Sequence, residues 1–223
     1  MCGLNGLRCI EGSVDVTEFP FKPFYQDSHC TIYNADCRKV LPWLERVDLL
    51  LTDPPYGIGE DGGARRTRGS KKTNGVKAGW DSIRPPRAVF ELMLDVSNEQ
   101  IIWGGNYFAD MLPATRGWLY WEKLMGGDFS DGEVAWTSRD AVLKQFTKAK
   151  QTASRMHPTQ KPLALMQWCL GLVPDAETVL DPFMGSGTTL VAAKLEGRKA
   201  IGIEINEKYC ESAAERLRQG VLF

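Results

Sequence analysis

Residues 179–206 read "VLDPFMGSGTTLVAAKLEGRKAIGIEIN". An apolar strand pattern ends on Asp181, a Gly185-Ser186-Gly187 turn opens a helix, Gly197 closes it, and a second strand ends on Glu204. Glycines in a strand-to-helix turn adopt backbone angles closed to other residues and let the main chain approach a ligand. A carboxylate ending the next strand is placed to accept both hydroxyls of a ribose. No lysine follows the glycines, so the turn is not a phosphate-gripping P-loop. Leu190 stands where a dinucleotide fingerprint has its third glycine. The ligand this segment suits is a nucleoside whose phosphates need no cradle; a tight turn that binds nothing is the plain alternative.

Working outward, "KPLALMQWCLGLV" (161–173) has helical spacing, and "EKYCESAAERLRQ" (207–219) is the last helix. "CTIYNAD" (30–36) is a strand, and "VDLLLTD" (47–53) is a continuous apolar run, as in a strand covered on both faces. "RAVFELMLDVS" (87–97) reads as a helix, and "QIIWGG" (100–105) and "GWLYWEKL" (117–124) as strands. "GEVAWTS" with "AVLKQFT" (132–147) reads as a β-hairpin. Strands alternating with helices predict an α/β sandwich, its sheet mostly parallel with an antiparallel hairpin edge. Residues 1–28 show no periodicity and form an N-terminal extension. Residues 29–223 form a single domain, with a glycine-rich polar loop over 58–86 that is expected to be mobile or functional.

The composition is that of a globular chain, 43% hydrophobic and 25% charged. No apolar run is long enough for a membrane span, and the N-terminus lacks a signal-peptide pattern, so a cytoplasmic protein is expected. The six cysteines form no C-x-x-C pair, which suits reduced thiols. His29, Cys30 and Cys37 match no common zinc spacing, and no metal is expected. With only His29 and His157, histidine-based hydrolysis fits poorly. Net charge is −1, yet Arg65, Arg66, Arg68, Lys71, Lys72 and Lys77 follow one another without an acid between them. Such a run is either a polyanion contact or a solvated loop.

The run at 47–53 ends in Asp53-Pro54-Pro55-Tyr56-Gly57, four of which cannot continue a strand. "TDPPYG" (52–57), "HPTQKP" (157–162) and "LDPFMGSGTT" (180–189), in that order, resemble the permuted (beta-class) amino-methyltransferases of DNA. The resemblance runs from about Tyr25 to the last helix. It implies a Rossmann-like S-adenosylmethionine-dependent methyltransferase fold with circularly permuted motif order. By it, Asp53 and the Pro54 carbonyl accept hydrogen bonds from the target amino group, Pro55 stiffens the turn, and Tyr56 stacks on a base flipped out of DNA. Asp181, Phe183, Gly185, Ser186, Gly187 and Thr188 line the cofactor pocket, with Glu204 on its ribose. Asp36 meets the cofactor's adenine amine, and Thr159 and Lys161 lie near its methionine end.

The chemistry accounts for these residue types. An exocyclic base amine has its lone pair delocalised into the ring. Two acceptors on its N–H groups favour a pyramidal nitrogen aimed at a methyl donor, and positioning supplies the rest. The resemblance also implies adenine N6 as the target, since its adenine-modifying members usually have aspartate at the first position of this turn; cytosine N4, an RNA adenine and a catalytically idle nucleic-acid-binding subunit are the alternatives. Arg65, Arg66, Arg68, Lys71, Lys72 and Trp80 are the candidate DNA contacts. Target recognition in this family usually occupies a sizeable insertion, but here only residues 139–156 separate Ser138 from His157. The short stretch leaves room for help from a second subunit, so a homodimer is expected.

Overall fold

Leu49, Leu50 and Leu51 have no exposed surface. Successive side chains of a strand point to opposite faces, so such a run demands cover on both sides. In the computed structural model, which describes residues 19–58, 83–124, 130–147 and 160–219, that cover is complete. Leu49 and Leu51 join a core with Ile101, Trp103, Leu165, Leu190 and Ala213, while Leu50 joins one on the other face with Val40, Phe90, Ile102, Leu180 and Ile203.

The elements are β1 (Tyr25–Gln26), β2 (Cys30–Asn34), α1 (Cys37–Val40), β3 (Val47–Thr52), α2 (Arg87–Asp95), β4 (Ser97–Trp103), β5 (Trp118–Glu122), β6 (Gly132–Thr137), β7 (Lys144–Thr147), α3 (Leu163–Gly171), β8 (Thr178–Asp181), α4 (Thr188–Leu195), β9 (Lys199–Glu204) and α5 (Glu207–Arg218). Among the described residues the strands form one sheet in the order β1-β2-β9-β8-β3-β4-β6-β5-β7. Helices α3, α4 and α5 cover one face, and α1 and α2 the other. The chain is thus a three-layer α/β sandwich, its sheet mostly parallel with an antiparallel part.

From β3 the chain steps through α2 to β4 on one side; from β8 it steps through α4 to β9 on the other. The direction reverses between β3 and β8, which lie parallel with Leu50 opposite Leu180. Open α/β sheets bind ligands beyond the carboxyl ends of strands at such a reversal.

The expected hairpin over 132–147 is not what forms. β6 lies between β4 and β5, antiparallel to both, and β7 pairs with β5 in parallel. The division follows burial: Ala135, Trp136 and Thr137 are buried as an interior strand requires, whereas Lys144, Gln145 and Thr147 are exposed, as suits the sheet's rim. Gly197 takes the positive φ (+71°) expected of a residue closing α4. Residues 19–28 pack on the sheet: Phe24 N donates to the Ile32 carbonyl at 2.8 Å, and Phe19 and Phe21 lie against the core. Of the tryptophans on these strands, Trp103, Trp121 and Trp136 are buried and Trp118 is half-buried. No helix among the described residues is long and apolar enough to cross a membrane. Arg65, Arg66, Arg68, Lys71, Lys72, Trp80, His157 and Thr159 lie outside the described residues.

Candidate active site

Two turns face one another across the β3–β8 seam. The first follows β8. Asp181 is buried, and its Oδ1 accepts from the Thr52 hydroxyl at 2.7 Å and from Phe183 N at 3.1 Å. Burial pushes its carboxyl up to about 6, against those hydrogen bonds and one from Thr189. Gly185 and Gly187 both have positive φ, +51° and +76°. They serve different purposes. A Cβ on Gly187 would lie 2.8 Å from that of Ala213, so this glycine lets α4 close on α5. A Cβ on Gly185 would meet nothing within 4 Å, so this glycine leaves open space beside its backbone.

Glu204 stands beside that glycine. Gly185 N donates to its Oε2 at 3.1 Å and Asn206 N to its Oε1 at 2.8 Å, which fixes the carboxylate while each oxygen keeps a second lone pair. Burial raises its carboxyl above the usual range. Asp36 lies at the same edge, because β2 pairs with β9 and brings Asn34 opposite Glu204. It caps α1, accepting from Arg38 N at 3.0 Å, and its pairing with the Arg38 side chain lowers its carboxyl. Ser186 and Thr188 are buried; Arg216 donates to the Ser186 carbonyl at 2.5 Å and to Thr188 Oγ1 at 3.2 Å.

The second turn follows β3. Tyr56 OH donates to Asp53 Oδ1 at 2.6 Å, and Lys161 Nζ to Asp53 Oδ2 at 2.5 Å. Lys161 also reaches Tyr56 OH at 3.1 Å and Glu133 Oε2 at 2.9 Å, while Lys123 pairs with Glu133 Oε1. Two carboxylates and two ammonium groups thus form one chain with Tyr56 at its side. Burial raises the Asp53 carboxyl, with Lys161 opposing and Glu133 adding to the effect. Burial works against Glu133 too, yet Lys161 and Lys123 hold its carboxyl down to about 2. Burial works against the Lys161 ammonium, but Asp53 and Glu133 more than offset it and hold its proton above the ordinary lysine range. The Tyr56 hydroxyl is raised well above its ordinary range by burial and by these acids.

The ring of Tyr56 stacks on Tyr107 (centroids 4.7 Å apart, planes at 16°) and meets Phe108 edge-on at 6.1 Å. Gly104, φ +71°, permits this placement, since a Cβ there would lie 2.1 Å from Tyr56 Cε1. Lys161 Nζ is 5.5 Å from the ring centroid and 3.1 Å from the hydroxyl, so it meets the ring at its rim, leaving the faces to flat partners.

The HPTQKP segment is expected on the cofactor side, and the structure divides it. Lys161 lies at the Asp53 turn, where its buried ammonium pairs with Asp53 and Glu133. Its neighbour Gln160 lies 3.2 Å from Thr188 Oγ1 and, with its amide oxygen turned to them, 3.3 Å from Arg216. Glu133, Lys123, Tyr107 and Arg216 join the site without any motif to mark them in the sequence, and Thr52 and Gln160 join it from within the TDPPYG and HPTQKP motifs. The one local signal is Glu133, an acid in a strand that is otherwise apolar at its end. Arg139, just after β6, pairs with Glu99 at 2.6 Å. No cluster of His, Cys, Asp or Glu among the described residues is arranged to hold a metal.

This sheet, with its two turns at the reversal point, is an open α/β sheet with a candidate ligand site at its switch point, and comparison with known proteins gives its class. A family model described as DNA methylase (N6/N4 type) matches residues 134–215. The putative methylase YubD of Escherichia coli K12 is 30% identical over 82% of this chain and 88% of its own. The type II methyltransferase M2.LlaDCHI of Lactococcus lactis subsp. cremoris is 26% identical over 91% and 94%. Among solved structures, PvuII DNA methyltransferase (cytosine-N4-specific) superposes with a TM-score of 0.64 at 16% identity, over 92% of both chains. The M1.HpyAVI–SAM complex gives 0.57 at 22%, over 84% and 98%. The chain belongs to the N6/N4 DNA amino-methyltransferase family, whose cofactor is S-adenosylmethionine.

Proposed function

We propose that this DNA methyltransferase modifies the N6 amino group of adenine, taking the base out of the duplex and methylating it directly. One observation carries the reading: the carboxylate of Asp53, at the end of β3, stands across the seam from the Asp181–Glu204 pocket. Acceptor and donor sites therefore share one sheet edge.

The pocket's residues fit S-adenosylmethionine, which supplies an electrophilic methyl group. Gly185 leaves room for it, Glu204 presents two oriented oxygens to a ribose, and Asp36 stands at the same edge for the adenine amine. Asp181, Phe183, Ser186, Gly187 and Thr188 complete the wall. Thr159 belongs to the same segment as Gln160, whose side chain reaches this turn.

At the other turn, Asp53 and the Pro54 carbonyl accept the two N–H groups of the target amine, which directs its lone pair away from them. Pro54 and Pro55 fix the acceptor directions. The nitrogen sheds a proton on methylation, and Asp53, held above the usual carboxylate range by burial, receives it. Tyr56 offers a flat face to the extruded base, as it does to Tyr107, and so replaces part of the stacking that extrusion removes. Arg65, Arg66, Arg68, Lys71, Lys72 and Trp80 hold the phosphates and the strand, and residues 139–156 contribute to sequence choice.

The aspartate at position 53 favours adenine; the likeness to a cytosine-N4-specific enzyme favours a second reading, N4 of cytosine. Incubation with methyl-labelled S-adenosylmethionine and unmethylated plasmid DNA, followed by digestion to nucleosides, separates them. N6-methyldeoxyadenosine is expected. Label in N4-methyldeoxycytidine overturns the base assignment, label acquired by RNA in place of DNA overturns the substrate, and no label overturns the activity.

A further inference from the structure

Both oxygens of Asp53 already hold hydrogen bonds, one from Tyr56 and one from Lys161. If Asp53 is the acceptor for the target amine, as proposed above, the amine has to share Oδ2 with Lys161, whose charge at 2.5 Å crowds that oxygen and weakens it as an acceptor. Lys161 is only 7% exposed, and its ammonium cannot retreat into water. Leaving a buried charge with no partner costs several kcal/mol, more than a single hydrogen bond from an amine returns.

Glu133 resolves the conflict. Its Oε2 lies 2.9 Å from the same Nζ, and its Oε1 is anchored by Lys123. We infer that Glu133 is a positioning residue for methyl transfer: it takes Lys161 over from Asp53 when the target amine arrives, so that Oδ2 is released without stranding a buried cation. Lys161 acts as a latch with two resting places, and the Glu133–Lys123 pair is the second. In the free protein the latch keeps Asp53 paired; with substrate bound it transfers its whole charge to Glu133. This rests on the proposed role of Asp53 and adds a residue of β6 to the site.

The groups facing the latch come from every side. Tyr56 and Asp53 lie in the β3 turn, Asp181 ends β8 behind Asp53, and Glu133 is on β6. Lys123 follows β5, Tyr107 lies against Tyr56, and Cys169 of α3 feels the Lys161 charge. Only Asp53, Glu133, Lys161 and Lys123 exchange partners. Removing Glu133 therefore has a directional signature. The cation is left wholly on Asp53, so the amine competes with it at every turnover, while the carboxylate becomes easier to ionise.

The test is the single-turnover rate of methyl transfer to unmethylated plasmid DNA as a function of pH, for the wild type, Glu133→Gln, Glu133→Asp and Lys161→Met. In Glu133→Gln the plateau rate should fall about tenfold or more, as expected when a charged contact has to be displaced. Its acid limb should move to lower pH. In Lys161→Met the limb should move to higher pH, and Glu133→Asp should recover most of the rate. A carbon NMR titration of the Asp53 carboxyl in the same proteins, without DNA or cofactor, should shift in the same two directions. A Glu133→Gln protein with the wild-type rate and an unmoved limb overturns the inference while leaving the methylation reading intact; a wild type that labels no DNA overturns both. Should Glu133→Gln fail to fold, Lys123→Met decides. Glu133 then draws Lys161 more strongly and the acid limb rises, and an unmoved limb overturns the inference.

Discussion

Thr52 donates its hydroxyl to Asp181 at 2.7 Å, from the last residue of β3 to the last of β8. Both residues are buried, and the bond ties together the two strands whose ends carry the proposed methyl acceptor and donor sites. Thr52→Val keeps the shape and removes the donor. It should lower stability by about 1–3 kcal/mol, the cost of a buried acceptor left short of a partner. It should also weaken S-adenosylmethionine binding, because Asp181 is then held only by Phe183 N and Thr189. Urea unfolding and calorimetry check the two effects; unchanged values in both would mean that the strands are aligned without this bond.

Asp181 makes stability depend on pH in a defined direction. Its folded carboxyl sits at about 6 against an ordinary 3.8, so the folded state holds the proton more tightly than the unfolded one. The protonated carboxyl's contribution is full below about pH 4, declines as pH rises through 6, and is gone above it. Asp181→Asn retains an acceptor for Thr52 and cannot ionise. It should be more stable than the wild type at pH 8 by on the order of 2 kcal/mol, with the gap closing toward pH 4. Thermal unfolding across that range tests the sign.

Gly104 sets the position of Tyr56. An alanine there suffers twice, from a φ of +71° and from a Cβ 2.1 Å from the tyrosine ring. The ring has to leave its stack on Tyr107 and pull its hydroxyl from Asp53. Gly104→Ala should reduce methyl transfer about a hundredfold, the scale of a misplacement near 1 Å, with cofactor affinity close to wild type. A variant that keeps its rate would show that Tyr56 tolerates displacement.

Asp53→Ala removes the acceptor but leaves Lys161 its bond to Glu133, so the fold should survive. Methyl transfer should be abolished, while S-adenosylmethionine still binds at the Glu204 side. Activity near the wild-type level in this variant would remove Asp53 from the mechanism.

The cationic run from Arg65 to Lys77 predicts a steep fall of DNA affinity with salt. Replacing Arg65, Arg66 and Arg68 by glutamine should flatten the plot of log affinity against log salt by about 0.9 for each phosphate no longer neutralised. An unchanged slope assigns the phosphates to other residues.

How much of this is legible in the sequence depends on whether the signal is local. The strand ending at Thr52, the glycine turn at 185–187 and the acid at Glu204 announce themselves within a few residues, because a buried strand, a positive φ and a terminal carboxylate each restrict the local residue types. The pairing of β6 and β7 cannot be read that way. Two short strand-like runs joined by a loop look like a hairpin, and only the placing of β5 between β6 and β7, paired with both, forbids it. The partners of Lys161 escape the sequence for a related reason: its motif names a segment, but two adjacent residues of it reach different turns, Gln160 that of Thr188 and Lys161 that of Asp53. Glu133 and Lys123 carry no motif. Their roles follow from the rule that buried charges are paired, which operates only once it is known what is buried.

The β3–β8 seam has a consequence for how such a gene can be arranged. The proposed acceptor turn follows directly on residues 47–52, the proposed cofactor turn and Glu204 lie within residues 178–206, and the two meet as parallel neighbours held by a strand pairing and a threonine hydroxyl. Neither piece needs the other upstream of it. Written in the opposite order, with the remaining connections rerouted around the rim, the same two pieces could assemble the same seam, so the order in which a chain spells its halves is a matter of wiring to which the chemistry is indifferent.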